Sequence, residues 1–253
     1  MISVSRRFFV QSAAALAATI PGVANGAASP LTSLLKRHAA ARGSMRAIRS
    51  ITTAIEITEQ GATVTGHYAA MRAPLQRMRI DVFYKNKRVY SEGLDAQGAW
   101  QMEGGAGAPV PSIKGAGALQ HGLVFNLSGL EDIPALGGTL RYGGRSEIDG
   151  IAYHLIEATL ADGFATSFYI DPKSLLIAKR RDVRPIHPDA DNTFKPMETG
   201  FGDYRRVHGV MTAFKSWQTD LSLAKTVQTT STVAIAYNTA LSETQLARGA
   251  APV

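Results

Sequence analysis

The chain has 253 residues, of which 45% are hydrophobic, and a formal net charge of +7, a composition that excludes a disordered polymer and supplies enough apolar surface for one sizeable domain. Cysteine is absent, which removes disulfides, thiolate metal sites, a thiol nucleophile and an acylated lipoprotein cysteine together. The positive charges fall in small groups, Lys36-Arg37, Lys85 to Arg88, Lys179-Arg180-Arg181 and Arg205-Arg206; a nucleic-acid reader would gather them in a stripe beside stacking aromatics, so that class is excluded and loose attraction to an anionic membrane surface fits better.

The N-terminus reads as an export signal. Ser5-Arg6-Arg7-Phe8-Phe9 precedes an apolar run from Val10 to Ile20, then Pro21-Gly22, then small-residue exits such as Ala24-Asn25-Gly26 and Gly26-Ala27-Ala28. The run is well short of the roughly 20 residues that cross a bilayer core, so it is an address removed near residues 24–28 and not an anchor. The paired arginines resemble the twin-arginine type, with Gln11 where that pattern ends in Lys. Residues 1–28 are therefore the signal and 29–253 a single soluble periplasmic domain, expected as a monomer.

Leu31, Leu34 and Leu35, followed by an alanine tail and Gly43, spell one amphipathic helix with its stop. Beyond it the period changes to two. Ile51, Ile55 and Ile57 turn at Gln60-Gly61 into Val64, Gly66 and Tyr68, a hairpin with one apolar face. Next, Arg77, Arg79 and Asp81 alternate strictly with Met78, Ile80 and Val82, which predicts the apolar row inside and the charged row in solvent. Short steps lead through Val89-Tyr90-Ser91 to Trp100 and Met102. From Gly104 to Gly138 glycine, proline and short apolar clusters replace the alternation, with short helices expected near 116–124 and 130–136; this insert is either a lid or a plain surface excursion. Strands resume at Thr139 to Ile148, Ile151 to Leu155, Thr166 to Ile170 and Leu175 to Arg180. Arg184 to Gly202 reads as a polar, proline-bearing loop, and the closing strands are Asp203 to Val207, Val210 to Trp217 and Val227 to Ile235, before a weakly patterned tail. Turns of two to four residues make the meander antiparallel.

Catalytic chemistry is hard to find. The six histidines, His38, His67, His121, His154, His187 and His208, share no metal-helix spacing. His187-Pro188-Asp189-Ala190-Asp191 places an imidazole and two carboxylates in five residues, a cation loop if a further ligand arrives and otherwise a solvated turn. No G-x-S-x-G occurs, Gly115-Ala116-Gly117 is a poor dinucleotide turn, and Glu131-Asp132 are adjacent rather than facing. No cofactor and no catalytic residue is expected.

The positive signal is the apolar row. Ile55, Ile57, Val64, Tyr68, Met78, Ile80, Val82, Tyr153, Leu155, Phe168 and Ile170 would line one face of a large antiparallel sheet. Three short helices are too few to fill it, which leaves an apolar cavity suited to a lipid or acyl chain; a fully packed core is the alternative, since periodicity tells which face is buried and not by what.

The order of features resembles a known family: the Leu94-Asp95-Ala96-Gln97-Gly98-Ala99-Trp100 turn, the helical insert, Glu147-Ile148-Asp149-Gly150-Ile151-Ala152-Tyr153, Tyr169-Ile170-Asp171-Pro172-Lys173-Ser174-Leu175-Leu176 and Asp203-Tyr204-Arg205-Arg206-Val207-His208-Gly209-Val210. It is similar to the periplasmic lipoprotein-carrier family named for LolA, with its relatives LolB and RseB. The resemblance implies an α+β fold in which an open, incomplete antiparallel β-barrel, here of about ten or eleven strands, is covered by a few short helices. It implies a non-catalytic carrier whose cavity holds acyl chains of lipoproteins or lipids, with lipoproteins or a membrane-bound envelope protein as partners. Met78, Ile80, Val82 and Trp100 would then stand in or near the cavity wall and the insert over its mouth. The paired-arginine signal and the Arg184–Gly202 stretch depart from the carrier pattern. Two rivals remain: an envelope-sensing interaction module with a packed interior, and a hydrolase using His154 or His208 as base.

Overall fold

The computed structural model describes residues 29–104 and 107–252; the expected export signal lies outside the described residues. Helix α1 (Pro30–Arg42) starts where Ser29 accepts the Thr32 N–H and Pro30 takes the first turn, and it stops at Gly43. Six strands follow: β1 (Ser50–Glu59), β2 (Ala62–Met71), β3 (Arg77–Tyr84), β4 (Lys87–Asp95), β5 (Gly98–Glu103) and β6 (Val110–Pro111). The insert supplies α2 (Ala116–Leu127) and two 3-10 turns, Leu130–Asp132 and Pro134–Leu136. Then come β7 (Thr139–Ile148), β8 (Ile151–Thr159), β9 (Ala165–Ile170), β10 (Ile177–Arg184), β11 (Lys195–Val207), β12 (Val210–Asp220) and β13 (Lys225–Tyr237), and a short α3 (Glu243–Leu246). Among the described residues no helix is long and apolar enough to cross a membrane.

All thirteen strands form one sheet in the order β6-β5-β4-β3-β2-β1-β13-β12-β11-β10-β9-β8-β7. Apart from β6 and β7, strands adjacent in sequence pair antiparallel, most of them through short turns and β10 with β11 across residues 185–194, and β1 joins the two halves through β13. Strands β6 and β7 stay unpaired to each other, so the curled sheet is an open barrel. The strand number exceeds the expected ten or eleven. One addition is β6, hidden among prolines. The expected strand at Asp203 to Val207 also begins earlier, at Lys195, inside the stretch read as loop: Met197, Thr199 and Phe201 do alternate there, but Pro196, Gly200 and Gly202 mask the pattern.

The helices occupy the concave face. Leu119, Leu123 and Leu127 of α2 pack on Ile51, Ala70, Met78 and Leu94. On the other side Leu34 of α1, with Leu130 and Ile133 of the 3-10 turns, packs on Ile156, Phe168 and Ile170. Helix α2 joins the two clusters, with Leu119, Leu123 and Leu127 in the first and Val124 and Phe125 against the second, and leaves Gln120 and Asn126 exposed.

The convex face of β2–β5 overturns one expectation. Met78 is buried on the concave side as predicted, but Arg79 and Asp81 are both 0% exposed. The C-terminal segment lies over them: Arg79 donates to the carbonyls of Ala250 at 2.9 Å, Ala247 at 3.4 Å and Gln245 at 3.5 Å, and pairs with Asp81 at 2.8 Å. Ser91 donates to Asp81 at 2.6 Å, and Arg248 grips Asp95 with two bonds of 2.8 Å. The charges are tolerable there because they neutralise one another. Alternation correctly divided the two rows; it could not reveal that the distant tail covers the polar one.

Candidate functional site

The concave face and its helical cover enclose a cavity of about 420 Å³, within the range of small-molecule sites. Its floor is the inward row of the central strands. Register places Thr53, Tyr68 and Ile80 side by side across β1, β2 and β3, with Ile55 one step along. Phe168, Phe201 and Ile235 continue the wall, and Val124, Phe125, Leu130 and Ile133 form the roof.

Of the expected wall residues, Ile55, Tyr68, Ile80 and Phe168 line the cavity. Met78 and Ile170 face the same way but are buried beneath the cover. Ile57, Val64 and Val82 share that face by register, outside the cavity lining. Trp100, Tyr153 and Leu155 are on the opposite face, which corrects their assignment. Trp100 shares a row with Gly93 and Arg79, its ring 5.6 Å from the Arg79 guanidinium. Gly93 makes the room, since a Cβ there would come within 2.9 Å of the indole. On β8 the register sets Leu155 opposite Tyr169 and Ile156 opposite Phe168, so Ile156 is the inward residue, and Tyr153 meets Tyr169 edge-on on the outside. Both rows of β8 contain apolar residues, which made the pattern ambiguous.

Polar residues missed in the sequence occupy one side of the cavity. His38 and Arg42 stand one turn apart on the face of α1 that begins with Leu34. Their position is fixed by Gly43, whose φ is +91° and whose hydrogen points at the carbonyl of Gly209; a methyl group there would overlap that oxygen. Arg42 donates to the Ser128 carbonyl at 3.1 Å, tying α1 to the end of α2, and burial lowers its pKa. His38 is 1% exposed and bonds the Leu175 carbonyl through Nδ1 at 2.7 Å, while Nε2 has no partner. Burial lowers its pKa too, against the opposing bond to Leu175. The Tyr204 hydroxyl donates to Ile177 at 2.6 Å and that of Tyr237 meets Thr212 at 2.8 Å; burial raises both phenols and pushes Tyr68 up to about 12.

Arg180 also lines the cavity, its guanidinium 4.5 Å from the Phe125 ring centre. Burial pushes it down to about 10 although Asp182 pairs with it at 3.0 Å; Asp182 is shared with Arg184 at 2.8 Å. A register shift between Ile177 and Lys179 reverses the alternation of β10, turning Arg180 to the side of Ile177, and no periodicity in the sequence signals it. The spacing Leu34, His38, Arg42 is a signal that could have been used: two polar residues continue an apolar helical stripe.

The 187–191 loop distributes its groups to separate partners. His187 bonds Glu59 at 2.9 Å. Asp189 accepts from Ser112 at 2.5 Å and from the Lys114 N–H, and Asp191 caps Thr193. Among the described residues no cluster of metal-ligating side chains forms.

Solved structures with this architecture include a DUF1329 family protein from Desulfovibrio piger, at TM-score 0.55 and 13% identity over 85% of this chain and 95% of that one. A domain from Vibrio parahaemolyticus described as an outer membrane lipoprotein-sorting protein matches at TM-score 0.55 and 10% identity, over 85% and 94%. A LolA superfamily protein from Nitrosomonas europaea matches at TM-score 0.55 and 10% identity, over 85% and 96%. No family model matches the chain, and no curated protein matches it in sequence. The fold is the LolA-like open barrel.

Proposed function

We propose that this protein is a non-catalytic carrier or binding protein for a lipid, a lipoprotein acyl chain or another long apolar group, working as a monomer in the periplasm after removal of a signal over residues 1–28. The observation that carries the reading is the cavity of about 420 Å³ between the apolar row of the barrel and its helical roof. A LolA-like fold, and a lipoprotein-sorting domain among the structures similar to it, support the same reading. The packed interaction module has less support, because the interior is not filled. The hydrolase has less still: the His154 ring lies against Tyr142 and Arg37, not a serine and a carboxylate, and His208 sits in the β11–β12 turn.

The test is binding of a fluorescent fatty-acid probe to delipidated protein, paired with native mass spectrometry of protein taken from its own periplasm. Ile80→Asp places a charge in the cavity wall and is expected to weaken probe binding; Ile80→Asn serves if a thermal melt shows that the aspartate variant does not fold. Failure of the unmutated protein to bind acyl probes where a known carrier does removes the carrier reading.

A further inference from the structure

The cavity is apolar along Ile55, Ile80 and Phe168 and carries two cationic groups, Arg42 of α1 and Arg180 of β10, an asymmetry that the carrier reading alone does not use. Arg42 forms no ion pair among the described residues; its one hydrogen bond goes to a neutral carbonyl. The carboxylates of Glu131, whose Oε2 is buried without a hydrogen-bond partner, and of Asp132, both on the first 3-10 turn, favour its charge without approaching to ion-pair distance. Asp182 is already divided between Arg180 and Arg184. Asp132 and Asp182 are thus each divided between two other guanidinium groups. Tyr204 of β11 and Tyr237 of β13 stand close enough to feel the Arg42 charge, and both hydroxyls are engaged elsewhere.

Beside Arg42, the Nε2 atom of His38 is buried and without a hydrogen-bond partner. A carbonyl can only accept, so the 2.7 Å bond to Leu175 puts the proton on Nδ1 and leaves Nε2 as a bare lone pair. A buried polar atom left unsatisfied costs free energy that a bound partner would recover. The guanidinium retains unused N–H donors next to it.

We propose that the cavity takes an acyl chain with an anionic oxyacid head, a carboxylate or a phosphate monoester, its head held by Arg42 and by Nε2 of His38 and its chain lying along Ile55, Ile80 and Phe168. This rests on the carrier reading and adds the head-group class to it. The Arg42 N–H groups donate to the head oxygens, a charge-assisted pairing stronger than any bond to an ester carbonyl. A head that is still protonated gives its hydrogen to Nε2; an ionised one draws a proton onto Nε2, which then donates back. Either way, the anion opposes burial and the neighbouring Arg42, which lower the pKa of the free imidazole against the Leu175 bond and the Glu131 carboxylate.

Displacement of a fluorescent fatty-acid probe by palmitate, methyl palmitate and a lysophosphatidate of the same chain length tests it on the delipidated protein. The acids are expected to bind about tenfold or more tightly than the ester, and the tighter of the two acids names the head. Arg42→Gln should abolish that preference while leaving the affinity for the ester in place. Because that variant also removes the guanidinium of the α1–α2 tie, a thermal melt accompanies it, and a second readout uses the unmutated protein: the ¹⁵N shifts of the His38 ring should change at Nε2 on adding palmitate and stay unchanged with the ester. Equal affinity for acid and ester, a preference that survives Arg42→Gln, or a His38 ring indifferent to palmitate overturns the proposal. Binding of neither acid nor ester is a different result, and defeats the carrier reading itself.

Discussion

Replacing Arg79 by Met removes one half of an ion pair in which both side chains are fully buried. Asp81 would keep the Ser91 hydroxyl at 2.6 Å and the more distant Arg88 at 3.9 Å, but lose its two 2.8 Å contacts to the Arg79 guanidinium. Stranding a buried charge in this way costs about 3–5 kcal/mol, against a total stability of about 5–15 kcal/mol for an ordinary domain. The tail also loses its donor at the carbonyls of Gln245, Ala247 and Ala250; these lie near the surface and can turn to water, so they add little. Hydrogen exchange of residues 243–250 should nevertheless rise. The companion variant, Arg79→Met with Asp81→Leu, replaces the pair by apolar groups beside Trp100, Met102 and Leu246, all buried. It should recover at least about 2 kcal/mol of the loss, since exchanging a buried pair for well-packed apolar groups is close to neutral. Urea denaturation of the single and double variants measures both quantities. A loss below about 1 kcal/mol for Arg79→Met, or a double variant as unstable as the sum of its singles, would refute the claim that pairing is what makes this face tolerable.

Gly43→Ala should destabilise by about 2 kcal/mol or more, read by thermal melt, because the left-handed φ and the Gly209 carbonyl both oppose a methyl group; an unchanged melting temperature would mean that α1 is not pinned there. The Asp95–Arg248 pair gives a pH signature. Burial alone would raise the Asp95 carboxyl, but Arg248 and the N–H groups of Gln97 and Arg248 outweigh it and hold its pKa below the usual value. A lowered carboxyl contributes stability that is present above its unfolded pKa of about 3.9 and is lost as pH falls through the folded value. The stability difference between the unmutated protein and Arg248→Met should therefore be full at pH 7 and shrink below about pH 4; a difference constant over that range would show that the pair acts through packing only. Phe168→Ala should weaken binding of a fluorescent fatty-acid probe severalfold by removing an aromatic wall, and an unchanged affinity would place the chain elsewhere.

The alternation of Met78, Ile80 and Val82 with Arg77, Arg79 and Asp81 determined by itself that β3 is a strand with two different faces, because side chains on an extended backbone must alternate. The tight turns determined an antiparallel meander, and Leu31, Leu34 and Leu35 before Gly43 determined α1. The face each row meets belonged to the tertiary structure. Alternation on Arg79 and Asp81 is the same whether water or the C-terminal segment lies above them, and the covering residues are more than 160 positions away in the chain. Register decided Tyr153, Leu155 and Trp100: which row of β8 or β5 turns inward depends on pairing with β9 and β4, and both rows of β8 carry apolar side chains. The one-residue shift in β10 that turns Arg180 into the cavity is likewise a property of strand pairing. So is the polar side of the site. His38 and Arg42 occupy a helical stripe readable in the sequence, but they reach the cavity because Gly43 lets the end of α1 touch the β11–β12 turn. Local periodicity reports how a segment divides its own surface, whereas burial, pairing and charge compensation depend on segments that only the folded chain brings together.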